Sequence, residues 1–148
     1  MSQGIKETFE VMVIEFMMNM ENVDPFEQSL MNFSMKLKSK LLEIANLSIY
    51  DRKAVETSTM LAIEGIEDSI DKFLNDIDSK NTVLLERTEK FLREINNIIR
   101  EINELGYISN REPICRVTSK FEDHILTING KLKYSERSLK SILSRLFR

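Results

Sequence analysis

Glycine and proline are scarce in this sequence of 148 residues, which contains four glycines and two prolines. β-Sandwiches and α/β enzymes of this length need more turn-forming residues than these supply. The sequence also has one cysteine, one histidine and no tryptophan. One cysteine excludes a disulfide within the chain, and one cysteine with one histidine is too few for the common structural zinc sites. The composition therefore favours helices and disfavours Cys/His chemistry.

Charge is spread unevenly along the chain, although the net charge is only −3. Residues 51–112 hold 14 Asp and Glu against 9 Lys and Arg, whereas residues 113–148 hold 8 Lys and Arg against 3 Asp and Glu. The basic end could contact phosphate groups of a lipid or nucleic acid, or it could pair with an acidic segment of its own or a partner chain. We expect such pairing, because the basic end also carries a continuous apolar stripe.

Apolar residues recur at the spacing of an amphipathic helix in four segments. We predict helices over about residues 5–21, 25–47, 52–105 and 114–146, with a loop over residues 106–113. Asp24 and Pro25 form a helix-start signal, and Ser48 or Asp51 is available to cap the third helix. Gly106 lies where a helix C-cap is expected. The pattern predicts a single all-α unit.

The third segment carries a heptad repeat. Seven apolar residues lie at intervals of seven: Ile63, Ile70, Ile77, Leu84, Phe91, Ile98 and Leu105. A second apolar position lies three residues on in the first half, at Ile66 and Phe73. In the second half it lies four residues on, at Ile95 and Ile102. The repeat predicts one coiled-coil helix over residues 52–105, roughly 80 Å long at ~1.5 Å per residue, and hence an elongated all-α protein with shorter flanking helices.

The fourth segment carries a second long stripe, and Gly130 in its middle marks a candidate bend that weakens the helix by about 1 kcal/mol relative to alanine. The stripe comprises Ile114, Val117, Phe121, Ile125, Ile128, Leu132, Leu139, Ile142 and Leu146. Two long stripes on a short chain indicate association with other helices. The candidate partner-interface residues are Ile63, Ile70, Ile77, Leu84, Phe91, Ile98, Leu105, Phe121, Ile125, Ile128, Leu132, Leu139, Ile142 and Leu146.

Side chains that could carry chemistry are few. Cys115 and His124 are nine residues apart, which puts them on opposite faces of one helix. Lys80 and Arg87 interrupt the heptad seam, where they select partners or extend to the surface. An acidic set predicts a solvated face or a docking site for a basic partner: Glu64, Glu67, Asp68, Asp71, Asp76 and Asp78. We predict no catalytic, metal-binding or cofactor-binding residue, no cofactor and no enzyme activity.

The sequence also predicts a cytoplasmic location. No basic stretch precedes an apolar core at the start, and position 2 is Ser2, so neither a signal peptide nor N-myristoylation is expected. The most apolar stretch, Val11 to Met20, contains Glu15 and Asn19 and is too short to span a bilayer. The lone cysteine fits a reducing compartment. Through its basic end, the protein could also lie peripherally on the cytosolic face of an organelle.

Three stretches resemble a known family: Leu41–Ser48, Ile66–Leu74 and Ile95–Ile102. Together they look like the C-terminal helical domain of lyspersin, in which a Leu/Ser-rich helix and a short break precede a long helix with an Ile/Leu seam. The resemblance covers about residues 30–105. It implies a subunit of BORC, a coiled-coil rod that positions lysosomes by coupling a small GTPase to kinesin, and it implies no catalytic residue.

These features favour a non-enzymatic coiled-coil subunit of a multi-protein scaffold or adaptor assembly, of the BORC or a related organelle-biogenesis type. The alternatives are a kinetochore or vesicle-tethering subunit, and a compact four-helix bundle that binds lipid or a hydrophobic ligand through its Met/Phe-rich first helix. Expected partners are other helical subunits in a hetero-oligomer, with peripheral contact to an acidic surface or membrane through the basic end. Nucleic acid is not favoured, because no aromatic residues interleave with the basic ones. We also expect the isolated chain to self-associate, aggregate or fold only in part, because its stripes are too long for one chain of this length to cover.

Overall fold

A computed structural model describes residues 4–46, 51–77 and 80–147, apart from the side chain of Ser138. It contains five helices: α1 (Ile5–Met18), α2 (Phe26–Asn46), α3 (Arg52–Asp76), α4 (Thr82–Glu104) and α5 (Glu112–Leu146). No strand occurs in the described residues. The predicted all-α fold is therefore confirmed. Within the same residues, no helix combines the length and apolar character needed to cross a membrane.

The predicted single helix over residues 52–105 is wrong, because the segment forms two helices. Ile77 has an extended backbone (φ −67°, ψ 134°) and ends α3. Asn81 caps α4, and its side chain accepts a hydrogen bond from the Leu84 N–H at 3.0 Å. Short polar side chains such as this one compete with helical hydrogen bonds and favour helix ends. The break lets α3 and α4 pack into one core.

The five helices form an up-and-down bundle rather than the rod expected from one long helix. α1 packs along α3, α4 packs along α5, and α2 packs on both α3 and α4. Asp24 pairs with Arg87 at 2.6 Å close to the starts of α2 and α4. Lys38 pairs with Glu101 at 2.5 Å near their ends, so these two helices run parallel.

Aromatic side chains join three helices in the middle of the bundle. Phe16 of α1 stacks on Phe33 of α2 with 4.5 Å between ring centroids, and on Phe91 of α4 with 5.2 Å. Phe91 is fully buried. Stacked aromatic pairs contribute about 0.5–1.5 kcal/mol beyond the area that they bury. Part of the predicted heptad seam therefore lies in a core built by the chain itself.

α1 and α3 come into backbone contact at Gly65. A Cβ atom at this position would lie 2.4 Å from the carbonyl oxygen of Lys6, so the approach requires glycine. The Lys6 ammonium group crosses the same contact and pairs with Glu64 at 3.0 Å and Asp68 at 2.8 Å. These hydrogen bonds raise the pKa of Lys6, with Asp68 contributing most.

The other predicted helix boundaries agree closely with the structure. Asp51 caps α3, and its side chain accepts from the Ala54 N–H at 3.0 Å, while Ser48 lies outside the described residues. Gly106 follows α4 with a φ of 79°, a conformation that favours glycine. Gly130 produces no break, because α5 is continuous from Glu112 to Leu146.

Candidate partner-binding surface

α5 extends beyond the helix on which it packs. It has 35 residues, whereas α4 has 23. Toward one end of the pair, Arg100 of α4 contacts Glu122 of α5. Toward the other end, Thr82, the first residue of α4, lines the same depression as Leu139. α5 is thus antiparallel to α4, and residues 139–147, which we call the arm, begin where α4 begins.

The apolar stripe of α5 continues into the arm, where it is exposed. Earlier along α5, the buried stripe residues are Ile114, Val117, Phe121, Ile125 and Ile128. In the arm, Leu139 is 57% exposed, Ile142 51% and Leu146 70%. Leu143 and Phe147 are also exposed. Single exposed leucines are common, but a contiguous apolar row marks an interaction surface.

The arm and the turns before it are strongly basic. Glu136 is the one acidic residue in residues 131–147, against five basic residues: Lys131, Lys133, Arg137, Lys140 and Arg145. Lys140 pairs with Glu136 at 3.3 Å, one helical turn back. Positive charge near a helix C-terminus also complements the helix dipole. The arm is therefore an amphipathic helix end with positive charge beside its apolar row.

The structure divides the fourteen predicted interface residues into three groups. The chain buries eight: Ile63, Ile70, Leu84, Phe91, Ile98, Phe121, Ile125 and Ile128. Ile77 and Leu132 are half-buried against the same core. Four are exposed: Leu105, Leu139, Ile142 and Leu146. The chain thus covers much of its own stripes, and the exposed remainder is concentrated in the arm.

The acidic set of α3 is largely engaged by the chain itself. Lys120 of α5 pairs with Glu67 at 3.1 Å and with Asp71 at 2.5 Å. The hydrogen bond to Asp71 raises the pKa of Lys120 above its usual 10.5, with partial burial opposing the shift and Glu67 adding to it. Asp76 is exposed, and Asp78 lies outside the described residues. Part of the basic C-terminal segment therefore pairs with the acidic segment of its own chain.

Arg87 holds the α1–α2 connection against α4. Its guanidinium group donates to the carbonyl oxygens of Met20 at 2.7 Å and Glu21 at 3.1 Å, and it pairs with Asp24 at 2.6 Å. It also lies 5.0 Å from the centroid of the Phe26 ring. Its side chain is only 14% exposed. The charged residue in the seam thus contacts the chain's own backbone.

Cys115 and His124, the two side chains that the sequence singled out, lie in different surroundings on α5. Cys115 is exposed in the first turns of α5. His124 faces α3, and its Nε2 atom lies 3.5 Å from Asp71 Oδ1 without a hydrogen bond. Among the residues that the structure describes, no group of three or more His, Cys, Asp and Glu side chains could hold a metal ion.

A second apolar surface, which was not predicted from the sequence, lies between α1 and α3. Ile14, Met18 and Phe73 line a depression of about 230 Å³. Met17, on the same helix, is buried, whereas Met18 is 75% exposed. A usable sequence signal was present, because Val11, Ile14 and Met18 have the spacing of a second apolar face on α1. We call this depression the α1–α3 groove.

Comparison with known proteins returned no match to a protein-family model, to a curated protein or to a solved structure.

Proposed function

We propose that this protein is a non-enzymatic helical subunit of a multi-protein assembly and that the arm binds a partner helix. The observation that carries the proposal is the change in exposure along one stripe. Phe121, Ile125 and Ile128 are buried in the chain's own core, whereas Leu139 and Ile142 continue the same stripe past the start of α4. A helix that continued where α4 begins would cover them.

Apolar burial is expected to dominate the affinity. Burying a leucine or isoleucine stabilises a contact by roughly 1.5–3 kcal/mol, whereas an exposed ion pair contributes about 0–1 kcal/mol. Leu139, Ile142 and Leu146 therefore supply most of the binding free energy in this proposal. The surrounding Lys and Arg side chains select partners with acidic flanks and speed up the encounter.

For the class of assembly, our first candidate is a BORC-like or related organelle-positioning complex, on the strength of the resemblance to lyspersin. In such an assembly the protein would act at the cytosolic face of the organelle. Kinetochore and vesicle-tethering complexes use the same helix-on-helix association and are the second candidates. The arm would serve any of these in the same way, so the partner has to be identified by binding.

A lipid-binding bundle receives less support. The groove beside α1 encloses about 230 Å³. Small-molecule pockets typically enclose roughly 300–1,000 Å³ and cover most of their ligand. The Met/Phe-rich first helix also uses Phe9, Val13 and Met17 in the core. The groove is better matched to a few side chains of another protein than to a lipid tail.

The test is affinity capture of the tagged full-length chain from cells, followed by size-exclusion chromatography to retain proteins that co-elute in fixed proportion. Two double variants are compared across a salt series: Leu139→Ser with Ile142→Ser, and Lys140→Gln with Arg145→Gln. Leu126→Ser is the matched control, because Leu126 is 69% exposed on α5 but lies outside the arm.

We expect the apolar variant to lose its partners at every salt concentration. The charge variant should bind modestly more weakly, mainly at low salt, because added salt screens exposed charges. The control should bind like the unmodified chain. The opposite order, with a severe charge effect and binding that falls steeply with salt, would contradict the proposal and identify a polyanion-binding helix.

A further inference from the structure

The arm and the α1–α3 groove are apolar surfaces with different charge that lie at the same end of the bundle. Met18 is the last residue of α1, and Asp76 is the last residue of α3. Both line the groove. Thr82, the first residue of α4, lies beside Leu139 at this end. We propose that the arm of one copy docks in the α1–α3 groove of a second copy, forming a two-fold symmetric dimer.

The groove offers the arm an apolar floor open to solvent. Ile14, Met18 and Phe73 provide the apolar contact, and Ser69 also lines the groove. Methionine side chains are flexible and adapt to the shape of a partner, which suits an exposed Met18 to receiving a leucine or isoleucine. The arm presents such residues one turn apart, at Leu139, Ile142 and Leu146.

Charge favours this pairing over pairing between two arms. α1 carries Glu7, Glu10 and Glu15, and its one basic residue, Lys6, is paired with α3. Asp76 adds an exposed carboxylate at the groove, where Lys72 is the one basic lining residue. The arm is strongly basic. Two arms side by side would bring like charges together, whereas an arm beside α1 meets the opposite charge.

Geometry favours a second copy over the chain's own groove. α5 is continuous through Leu146, so the arm cannot turn back onto its own α1 without breaking the helix. When two bundles meet at this end and are related by a two-fold axis, the arm of each copy lies against the groove of the other. Both contacts are then used in one closed dimer, and no arm is left to extend a fibre.

This inference rests on the proposed role of the arm as a binding surface, and it adds the identity of one partner. Sedimentation equilibrium of the full chain tests it. The unmodified chain should dimerise. Leu139→Ser with Ile142→Ser should weaken the dimer by roughly tenfold or more for each apolar side chain lost. Met18→Lys should weaken it comparably, because it places a positive charge where the basic arm docks.

Matched controls separate docking from general surface effects. Met31→Lys makes the same change at an exposed methionine on α2, and Leu126→Ser makes the same change on α5 outside the arm. Both controls should dimerise like the unmodified chain. Circular dichroism of every variant should show unchanged helix content, because the substituted side chains lie at the surface.

The decisive experiment mixes the two variants that are each defective in one of the two surfaces. A chain with an intact groove but a defective arm, mixed with a Met18→Lys chain whose arm is intact, can still form one arm–groove contact. We expect heterodimers in the mixture although neither variant dimerises alone. An unmodified chain that stays monomeric, or a mixture that stays monomeric while the unmodified chain dimerises, would overturn the inference.

Failure of this inference can be distinguished from failure of the proposed function. A monomeric chain whose capture of other proteins still requires Leu139 and Ile142 overturns the dimer and leaves the proposed function standing. A chain that neither dimerises nor captures partners through these residues overturns both. Binding to vesicles of anionic phospholipid that is lost on Lys140→Gln with Arg145→Gln, without dimerisation, also overturns the dimer and assigns the arm to a membrane surface.

Discussion

Two parts of α5, residues 114–132 and the arm, belong to one continuous helix with one apolar period but differ in exposure. The first part is covered along α4, and Phe121 within it is fully buried. The arm lies past the first residue of α4, and Leu146 in it is 70% exposed. The comparison shows that the burial of a stripe depends on how far its partner helix extends, and not on the pattern of the stripe.

The largest expected effect is the difference in the free energy of unfolding between alanine substitutions in these two parts of α5. Phe121→Ala should lower the free energy of unfolding by about 3–5 kcal/mol, because it removes a buried aromatic side chain and leaves a cavity. Leu146→Ala should change it by less than about 0.5 kcal/mol, because the side chain is already in water. Urea denaturation at low protein concentration measures both. Similar losses would show that the arm is already packed within the monomer.

Two glycines differ in the same way, since Gly65 lies in a close helix contact and Gly130 lies in open space. Gly65→Ala should destabilise the chain by about 1–3 kcal/mol, because the new Cβ would meet the Lys6 carbonyl oxygen and push α1 away from α3. Gly130→Ala should stabilise it by about 1 kcal/mol, since no atom lies within 4 Å of a Cβ there and alanine is the better helix former. Thermal unfolding followed by circular dichroism should show opposite shifts, and a shift of the same sign would contradict the described packing.

Arg87 anchors the first turns of α4 to the α1–α2 connection. The start of α4 is also the point beyond which α4 no longer covers α5. Arg87→Met should cost about 1–3 kcal/mol, because the carbonyl oxygens of Met20 and Glu21 lose a charged donor in a largely buried site. Arg100→Met is the control, since Arg100 lies on the same helix and pairs with Glu122, and both side chains are about half exposed. That change should cost less than about 0.5 kcal/mol. If chemical denaturation gave the two variants equal stability, Arg87 would not hold the α1–α2 connection against α4 as described.

The smallest expected effect concerns Lys120, which joins the covered part of α5 to α3. Because its pKa is raised in the folded chain, its contribution is fully present below about 10.5 and is lost as pH rises through the raised value. Lys120→Met should therefore be less stable than the unmodified chain by about 0–1 kcal/mol at neutral pH. Unfolding measured from pH 7 to 12 should show the difference disappear at the alkaline end. A difference that grew there would have the wrong sign.

Local patterns in the sequence predicted most of the helical structure. The stripes located α1, α2 and α5 to within a few residues, and Asp51 and Gly106 marked helix ends correctly. The break between α3 and α4 was missed, because the heptad positions at Ile70, Ile77 and Leu84 continue across it. The signal for the break was a change in the second apolar position of the repeat. It lies three residues after the first position in the first half of the segment and four residues after it in the second half.

The candidate site was predicted in part. The predicted interface residues include the exposed Leu139, Ile142 and Leu146, but they also include buried residues such as Phe91 and Ile98. Periodicity indicates that a face needs covering without indicating whether the chain or a partner covers it. The α1–α3 groove was missed for the same reason, since exposure of Met18 depends on which faces of α1 and α3 meet at Gly65.

Hydrogen–deuterium exchange of the full chain, followed peptide by peptide at low and high protein concentration, measures directly whether the arm is uncovered in the monomer and covered on association. We expect amides in residues 114–132 to be protected under both conditions. Amides in residues 139–147 should exchange fast in the dilute chain and become protected when the chain associates. Strong protection of the arm in the dilute chain, or association that leaves its exchange unchanged, would contradict the account.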